Sequence, residues 1–231
     1  MVIGVCQKRE LMDAIIPAAG LALRMRGIPK FLLPCDSLYT TLIEQHIESL
    51  LPICETIWIP TRPEMVLLLD SLGLAKDRIV ILPMQTENMT QTIGKVLKIS
   101  SSSHFFIAMP DTYFSGEQPY MRLNNSPEIA DLACWKIRNE QKGKLGQVLI
   151  ENKLITDVQD KDLNCEYIYS WGALTFSKKL LEYSSEFDPH IGFAIKKAVI
   201  AGESITSKII NGKYYDCGTP NEYVSLLKSE L

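Results

Sequence analysis

The chain reads as an α/β protein of three layers, a mixed sheet covered by helices on both faces, and two patterns in its 231 residues predict this. In the first half, short β-branched runs alternate with stretches of helical period, which implies parallel strands joined by crossover helices. Beyond Asp111 the runs become strand-like and are separated by short polar breaks, which implies antiparallel hairpins. A hydrophobic content of 46% with 22% charged residues is that of an ordinary globular protein. One domain over residues 1–231 is the economical organisation, with residues 1–12 as an N-terminal extension ahead of the first motif strand.

The elements follow in order. Asp13–Pro17 is the first strand. Thr41 to Leu51 is an amphipathic helix opened by a capping box, Thr41 with Glu44 three residues on. Thr56–Pro60 is a strand, Arg62–Leu72 a helix, Arg78–Leu82 a third strand, Thr90–Ile99 a helix and His104–Met109 a strongly apolar fourth strand. Strand-like runs come next at Ile129–Ile137, Gln147–Ile150, Lys153–Val158 and Tyr167–Phe176, with Asn152 at a turn. Helices are expected at Lys178–Tyr183 and at Gly192–Ala201, the second stopped by Gly202, before a short strand at Ile205–Ile210 and the segment Lys213–Cys217. The last helix opens at Thr219-Pro220-Asn221-Glu222, a second capping box with proline at the first helical position.

Composition excludes several classes. A formal charge of −3 gives no basic footprint, so nucleic acid is not an expected partner. No apolar run approaches the ~20 residues of a membrane-spanning helix, and the charges near the N-terminus follow its apolar stretch instead of preceding it. Neither a membrane nor a secretion signal is expected, and the cytoplasm is the expected compartment. Cys6, Cys35, Cys54, Cys134, Cys165 and Cys217 form no Cys-x-x-Cys pair, which speaks against a zinc site and a disulfide scaffold and for free thiols. His46, His104 and His190 lack partners at ligand spacing and receive no chemistry. Association into a homo-oligomer is left open.

Chemistry enters at the end of the first strand. Ala14-Ile15-Ile16-Pro17 breaks into the small residues Ala18, Ala19 and Gly20, and the loop then delivers Arg24 and Lys30. Small side chains let backbone N–H groups approach an anion, and the two cations neutralise phosphate oxygens, arginine as a fork and lysine as a point charge. The pattern is a polyphosphate cradle at the carboxyl end of a strand. It is neither the Gly-x-x-x-x-Gly-Lys-Ser/Thr loop nor the Gly-x-Gly-x-x-Gly fingerprint of dinucleotide binders. Asp111 directly follows the fourth strand and so faces the same rim, where a carboxylate beside a triphosphate holds magnesium, or is simply an exposed turn acid.

Two segments carry a family resemblance. Ala18-Ala19-Gly20-Leu21-Ala22-Leu23-Arg24 followed by Pro29-Lys30 resembles the Ala-Ala-Gly-x-Gly-Thr/Ser-Arg…Pro-Lys loop of the sugar nucleotidyltransferase superfamily. Ala22 stands where glycine is usual, tolerable if its φ is negative, and Leu23 where a hydroxyl is usual. Asp216-Cys217-Gly218-Thr219-Pro220-Asn221-Glu222-Tyr223 resembles the family's Asp-x-Gly-Thr-Pro-x-x-Tyr segment. The resemblance implies a Rossmann-like fold of the nucleotide-diphospho-sugar transferase type and an Mg²⁺-dependent enzyme that joins a nucleoside triphosphate to a sugar-1-phosphate and releases pyrophosphate. It implies Asp111 and Asp216 as metal ligands, Arg24 and Lys30 as the catalytic cations, and Ala18, Ala19 and Gly20 as nucleotide-binding backbone.

Looser matches extend it. Met84-Gln85-Thr86-Glu87-Asn88 resembles the base-binding loop, with Gln85 reading a base edge, while Asn88 or Thr90 equally suits a helix cap. Gly146-Gln147-Val148 and Asp160-Lys161 stand near the family's Gly-x-Val and Glu-Lys-Pro, which implies Lys161 as a ligand of the sugar phosphate, against a solvated surface lysine. Trp171-Gly172-Ala173 takes the place of a turn at which glycine lets the sugar approach the backbone, so Gly172 joins the substrate residues. A hexapeptide-repeat tail is not expected. Cytidylyl transfer to a polyol or choline phosphate, and a non-catalytic nucleotide-sugar sensor, are the alternatives. A glycosyltransferase would want Asp-x-Asp, and Asp111-Thr112-Tyr113 lacks the second acid.

Overall fold

The computed structural model describes residues 12–74 and 77–230; the residues 1–11 of the N-terminal extension, with Cys6, lie outside the described part. Eleven strands and five α-helices are described: β1 (Met12–Ile15), α1 (Leu42–Leu50), β2 (Cys54–Thr61), α2 (Val66–Ser71), β3 (Ile79–Pro83), α3 (Met89–Ile99), β4 (His104–Ala108), β5 (Thr112–Gly116) and β6 (Ala130–Lys136), then β7 (Gly146–Glu151), β8 (Leu154–Asp160), β9 (Tyr169–Ser177), α4 (Gly192–Ile200), β10 (Ile205–Ile209), β11 (Gly212–Asp216) and α5 (Pro220–Glu230). Nine strands form one sheet in the order β3-β2-β1-β4-β9-β6-β10-β8-β7. β1, β2, β3 and β4 are mutually parallel, whereas β9 runs antiparallel between β4 and β6.

Period-two alternation of apolar residues explains the layers. Ala14 of β1 and Ile16 just past its end face a cluster with Ile43 and Ile47 of α1 and Leu69 of α2. Ile15 faces the opposite cluster, with Ile93 and Val96 of α3 and Ala194 and Ile195 of α4. On β4, Phe106 and Ala108 join the first cluster, Phe105 and Ile107 the second. Helix starts follow the expected chemistry: Thr41 Oγ1 accepts from the Glu44 amide while the Glu44 carboxylate accepts from the Thr41 amide, a complete capping box.

Three local expectations change. The predicted helix over 62–72 splits into a 3₁₀ turn at Pro63–Met65 followed by the short α2. Lys178–Tyr183 is a 3₁₀ segment instead of an α-helix. The first strand begins at Met12, so that residue belongs to the sheet and not to the extension. At Asn152 the expected turn is present, with Asn152 and Lys153 both at positive φ (50° and 69°), as a two-residue hairpin between β7 and β8 requires.

One strand escaped the sequence pattern, and it organises the site. β5 pairs antiparallel with β11 in a separate two-stranded sheet, placing Thr112 opposite Asp216. The Cys217 amide also donates to the carbonyl of Asp111 at 2.8 Å. This pairing carries Asp216, more than a hundred positions away in sequence, to the end of β4.

Candidate active site

The small-residue loop after β1 opens the site. Ala18 is buried and bridges Thr61 of β2, while Gly20 is exposed at the rim. Leu23–Met25 forms a 3₁₀ turn pinned by buried Met25 and flanked by Ala22 and Arg26, both in the left-handed region. Ala22 has φ 50°, not the negative φ under which alanine is unstrained; this is the conformation that glycine tolerates without penalty. Leu23 is 78% exposed and makes no core contact.

A cleft of about 580 Å³ lies over this loop. It is lined by Pro17 to Arg24, by Lys30 and Asp111, and by Thr86 to Met89 with Thr92. Ala18, Ala19, Gly20, Arg24, Lys30 and Asp111 are thus brought together. Lys30 Nζ forms an ion pair with Asp111 Oδ2. Asp216 stands just behind, beside a smaller cavity that it shares with Glu222 and Arg138. Gly218 separates it from the loop: a Cβ there would lie 2.8 Å from Asp216 Oδ1 and 3.0 Å from an Arg24 guanidinium nitrogen. Glycine there lets the carboxylate and the guanidinium approach the same stretch of backbone.

Electrostatics mark the same spot. Burial, and then the negative charges of Asp111 and Glu222, push the Asp216 carboxyl up to about 7, against the opposing pull of Lys30 and Arg24. Asp216 Oδ1 accepts from the Gly218 amide at 2.9 Å. Two carboxylates that repel one another and are each satisfied by cations or amides suit a divalent ion. Magnesium takes one or two carboxylates and completes its shell with phosphate oxygens and water. Among the described residues no cluster of three or more acids, histidines or cysteines offers a fuller site.

A buried device holds this end of β4 in place, and sequence reasoning passed over it. His46, fully buried on α1, donates through Nε2 to the carbonyl of Thr112 at 3.0 Å, while Nδ1 accepts from the Tyr120 hydroxyl at 2.8 Å. Both hydrogen bonds fix the neutral tautomer, and desolvation lowers its pKa to about 4. The helical spacing of Ile43, His46, Ile47 and Leu50 on the buried face of α1 was the available signal.

This burial makes a stability prediction. Between pH 4 and 6.5 the unfolded chain binds a proton on His46 that the folded chain refuses, so stability rises with pH through that window and is complete above it. The contribution is about 3 kcal/mol at most. Urea titrations at pH 7.5 and pH 5 are expected to show a smaller loss for His46→Gln than for the wild type; equal losses would contradict the assignment.

Other expected residues sit elsewhere. Gln85 is exposed, does not line the cleft, and its carbonyl accepts from Lys95 Nζ at 3.0 Å. Asn88 is the N-cap of α3, accepting from the Gln91 amide at 2.9 Å, and its residue still lines the cleft. Lys161 is exposed at the end of β8 with φ 53°. The space that Gly172 leaves open is filled by the Tyr214 ring, so it serves close packing between β9 and β11 instead of opening onto the cleft. Cys35, Cys54, Cys134, Cys165 and Cys217 are free thiols, and no helix among the described residues is long and apolar enough to cross a membrane.

Comparison with known proteins bears on the fold and the family. The chain matches none of the curated protein sequences. A solved structure described as a glucose-1-phosphate thymidylyltransferase from Bacillus anthracis, in complex with a sucrose, superposes with a TM-score of 0.77 at 20% identity over 93% of each chain. A UDP-glucose pyrophosphorylase complexed with UDP-glucose gives 0.76 at 17% identity, over 95% of this chain and 98% of that one. An inositol-1-phosphate CTP transferase from T. maritima gives 0.75 at 17% identity, over 94% and 95%. At such identities these likenesses establish the nucleotide-diphospho-sugar transferase fold. The family model of the MobA-like NTP transferase domain matches residues 14–186, from the phosphate loop through β9, and with well over half of the chain matched, this protein belongs to that family and is a nucleotidyltransferase.

Proposed function

We propose that the enzyme transfers a nucleotidyl group from a nucleoside triphosphate to a phosphorylated sugar or polyol. An acceptor phosphate oxygen bonds to the α-phosphorus, the bond from that phosphorus to the bridging oxygen breaks, and pyrophosphate leaves with the electron pair. The observation that carries the reading is the meeting of Ala18–Gly20, Arg24, Lys30 and Asp111 in one cleft, with Asp216 and Arg24 both beside Gly218.

Such chemistry asks the protein for in-line positioning and charge neutralisation and little else. The exposed Gly20 turn offers backbone to the phosphates, and Arg24 neutralises the departing pyrophosphate. Lys30 exchanges its Asp111 partner for the α-phosphate region. Asp111 and Asp216 would hold Mg²⁺, which polarises the α-phosphate when bound. Lys161 would seat the acceptor phosphate. Because Asp216 must be ionised to bind a cation, the Mg²⁺ concentration for half-maximal activity is expected to fall as pH rises toward 7 and to level off above it.

The test is a pyrophosphate-release screen with Mg²⁺, setting four nucleoside triphosphates against sugar-1-phosphates, inositol phosphate and choline phosphate, with Lys30→Ala as control. Release that needs one donor–acceptor pair and disappears in the control is the expected result. Nucleotide-sugar binding by calorimetry without release would favour a sensor.

A further inference from the structure

The two cations of the phosphate loop are not equivalent. Lys30 Nζ is ion-paired with Asp111 Oδ2, whereas Arg24 pairs with no acid among the described residues. The root of Lys30 is fixed. Phe31 beside it is buried in the first core cluster, the Leu32 amide donates to the Pro29 carbonyl at 3.1 Å, and the Leu33 amide donates to the Lys30 carbonyl at 3.0 Å. The four-carbon stem is the part that can reorient, and its end carries a compact point charge.

Asp111 is fixed as well. Its carbonyl accepts from the Cys217 amide at 2.8 Å, which joins it to the strand end that carries Asp216. The charge of Lys30 is felt at both acids, for it favours the ionised Asp216 carboxylate more than Arg24 does. One ammonium nevertheless brings a single positive charge to two carboxylates, and Asp216 is left with the Gly218 amide at 2.9 Å. The acid pair is thus half neutralised, and the group that does so lines the nucleotide cleft together with Asp111.

We propose that Lys30 is an internal counter-ion, which takes the cation position of Asp111 and Asp216 in the free enzyme and is drawn off by a nucleoside triphosphate. This rests on the metal reading of the two acids given above. A triphosphate in the cleft carries more negative charge than one carboxylate, so the ammonium moves to it and leaves Asp111 open. Nucleotide and divalent ion therefore bind with positive coupling, and by linkage each strengthens the other. A divalent ion alone has to displace the lysine, which keeps it off the acids until the substrate is in place.

Mn²⁺ suits the same oxygen ligands, and the paramagnetic signal of the free ion falls as it binds, so affinity is read without turnover. It is titrated, with no nucleotide, into the full chain as wild type, Lys30→Met and Arg24→Ala. Lys30→Met is expected to bind Mn²⁺ at least about tenfold more tightly than the wild type. Arg24→Ala removes an equal but unpaired charge and is expected to gain about threefold or less. Lys30→Met should also melt lower than the wild type in EDTA, because Asp111 has lost its partner, and be raised more by Mn²⁺. Adding Asp216→Asn should abolish the gain. Lys30→Gln, which keeps a hydrogen bond to Asp111 without the charge, takes the place of Lys30→Met if that variant does not fold. Equal Mn²⁺ affinity in the wild type and the Lys30 variant, an equal gain in Arg24→Ala, or a gain that survives Asp216→Asn would overturn the counter-ion role. The first two of these would leave the acids standing as a metal site, whereas no Mn²⁺ binding by the Lys30 variant would overturn both.

Discussion

Asp216→Asn is expected to lower kcat by about 10²–10³-fold while leaving the fold at least as stable, the signature of a group held at a cost to the native state for its chemistry. The sign follows from its raised pKa. Between about pH 4 and 7 the folded chain holds a proton on Asp216 that the unfolded chain gives up, so ionising it as pH rises through 7 destabilises the fold. Asparagine removes that ionisation, and its amide oxygen still accepts from the Gly218 amide. The stability gain should therefore be present at pH 8 and vanish near pH 4. Steady-state kinetics beside melting curves at both pH values check it; a variant that is less stable at pH 8 and fully active would show that Asp216 is a structural carboxylate.

Gly172→Ala is expected to destabilise the fold. A Cβ there would lie 2.3 Å from Cε2 and 2.7 Å from Cζ of Tyr214. The ring has little room to yield, since Tyr214 is 7% exposed and its centroid sits 5.0 Å from that of Trp135. Its backbone is held as well, with the Tyr214 carbonyl accepting from Gln141 Nε2 at 2.8 Å and Arg138 Nη2 at 3.2 Å. Forcing the contact should cost about 1–3 kcal/mol. Because Tyr214 stands two residues before Asp216 on β11, the displacement should also reduce turnover. Tyr214→Leu in the same chain should recover part of the loss, a negative coupling in a double-mutant cycle. Additive effects of the two changes would contradict the contact.

The parallel half of the fold and its phosphate loop were legible because local signals carry them. Apolar alternation on β1 and β4, the Thr41–Glu44 box and the Ala18–Gly20 run each act within a few residues. The second acid of the site was recognisable only by resemblance, because what brings Asp216 to Asp111 is the pairing of β5 with β11. That pairing joins two five-residue strands whose registered partners lie about a hundred positions apart, and no local period announces it. The packing role of Gly172 against Tyr214 was hidden for a related reason. A glycine is needed both where a ligand approaches and where another side chain does, and only the position of Tyr214 decides between them. His46 was passed over because its partners, a backbone carbonyl on β5 and the Tyr120 hydroxyl, leave no spacing in the chain.

The most direct measurement is the reverse reaction. Nucleoside-diphosphate sugars, pyrophosphate and Mg²⁺ are incubated with the wild type and with Arg24→Ala, and the phosphorus spectrum is followed. Nucleoside triphosphate and sugar phosphate appearing in equal amounts, and lost in the variant, are the predicted result. A nucleoside-diphosphate sugar that binds the wild type yet yields no triphosphate would contradict transfer at this cleft.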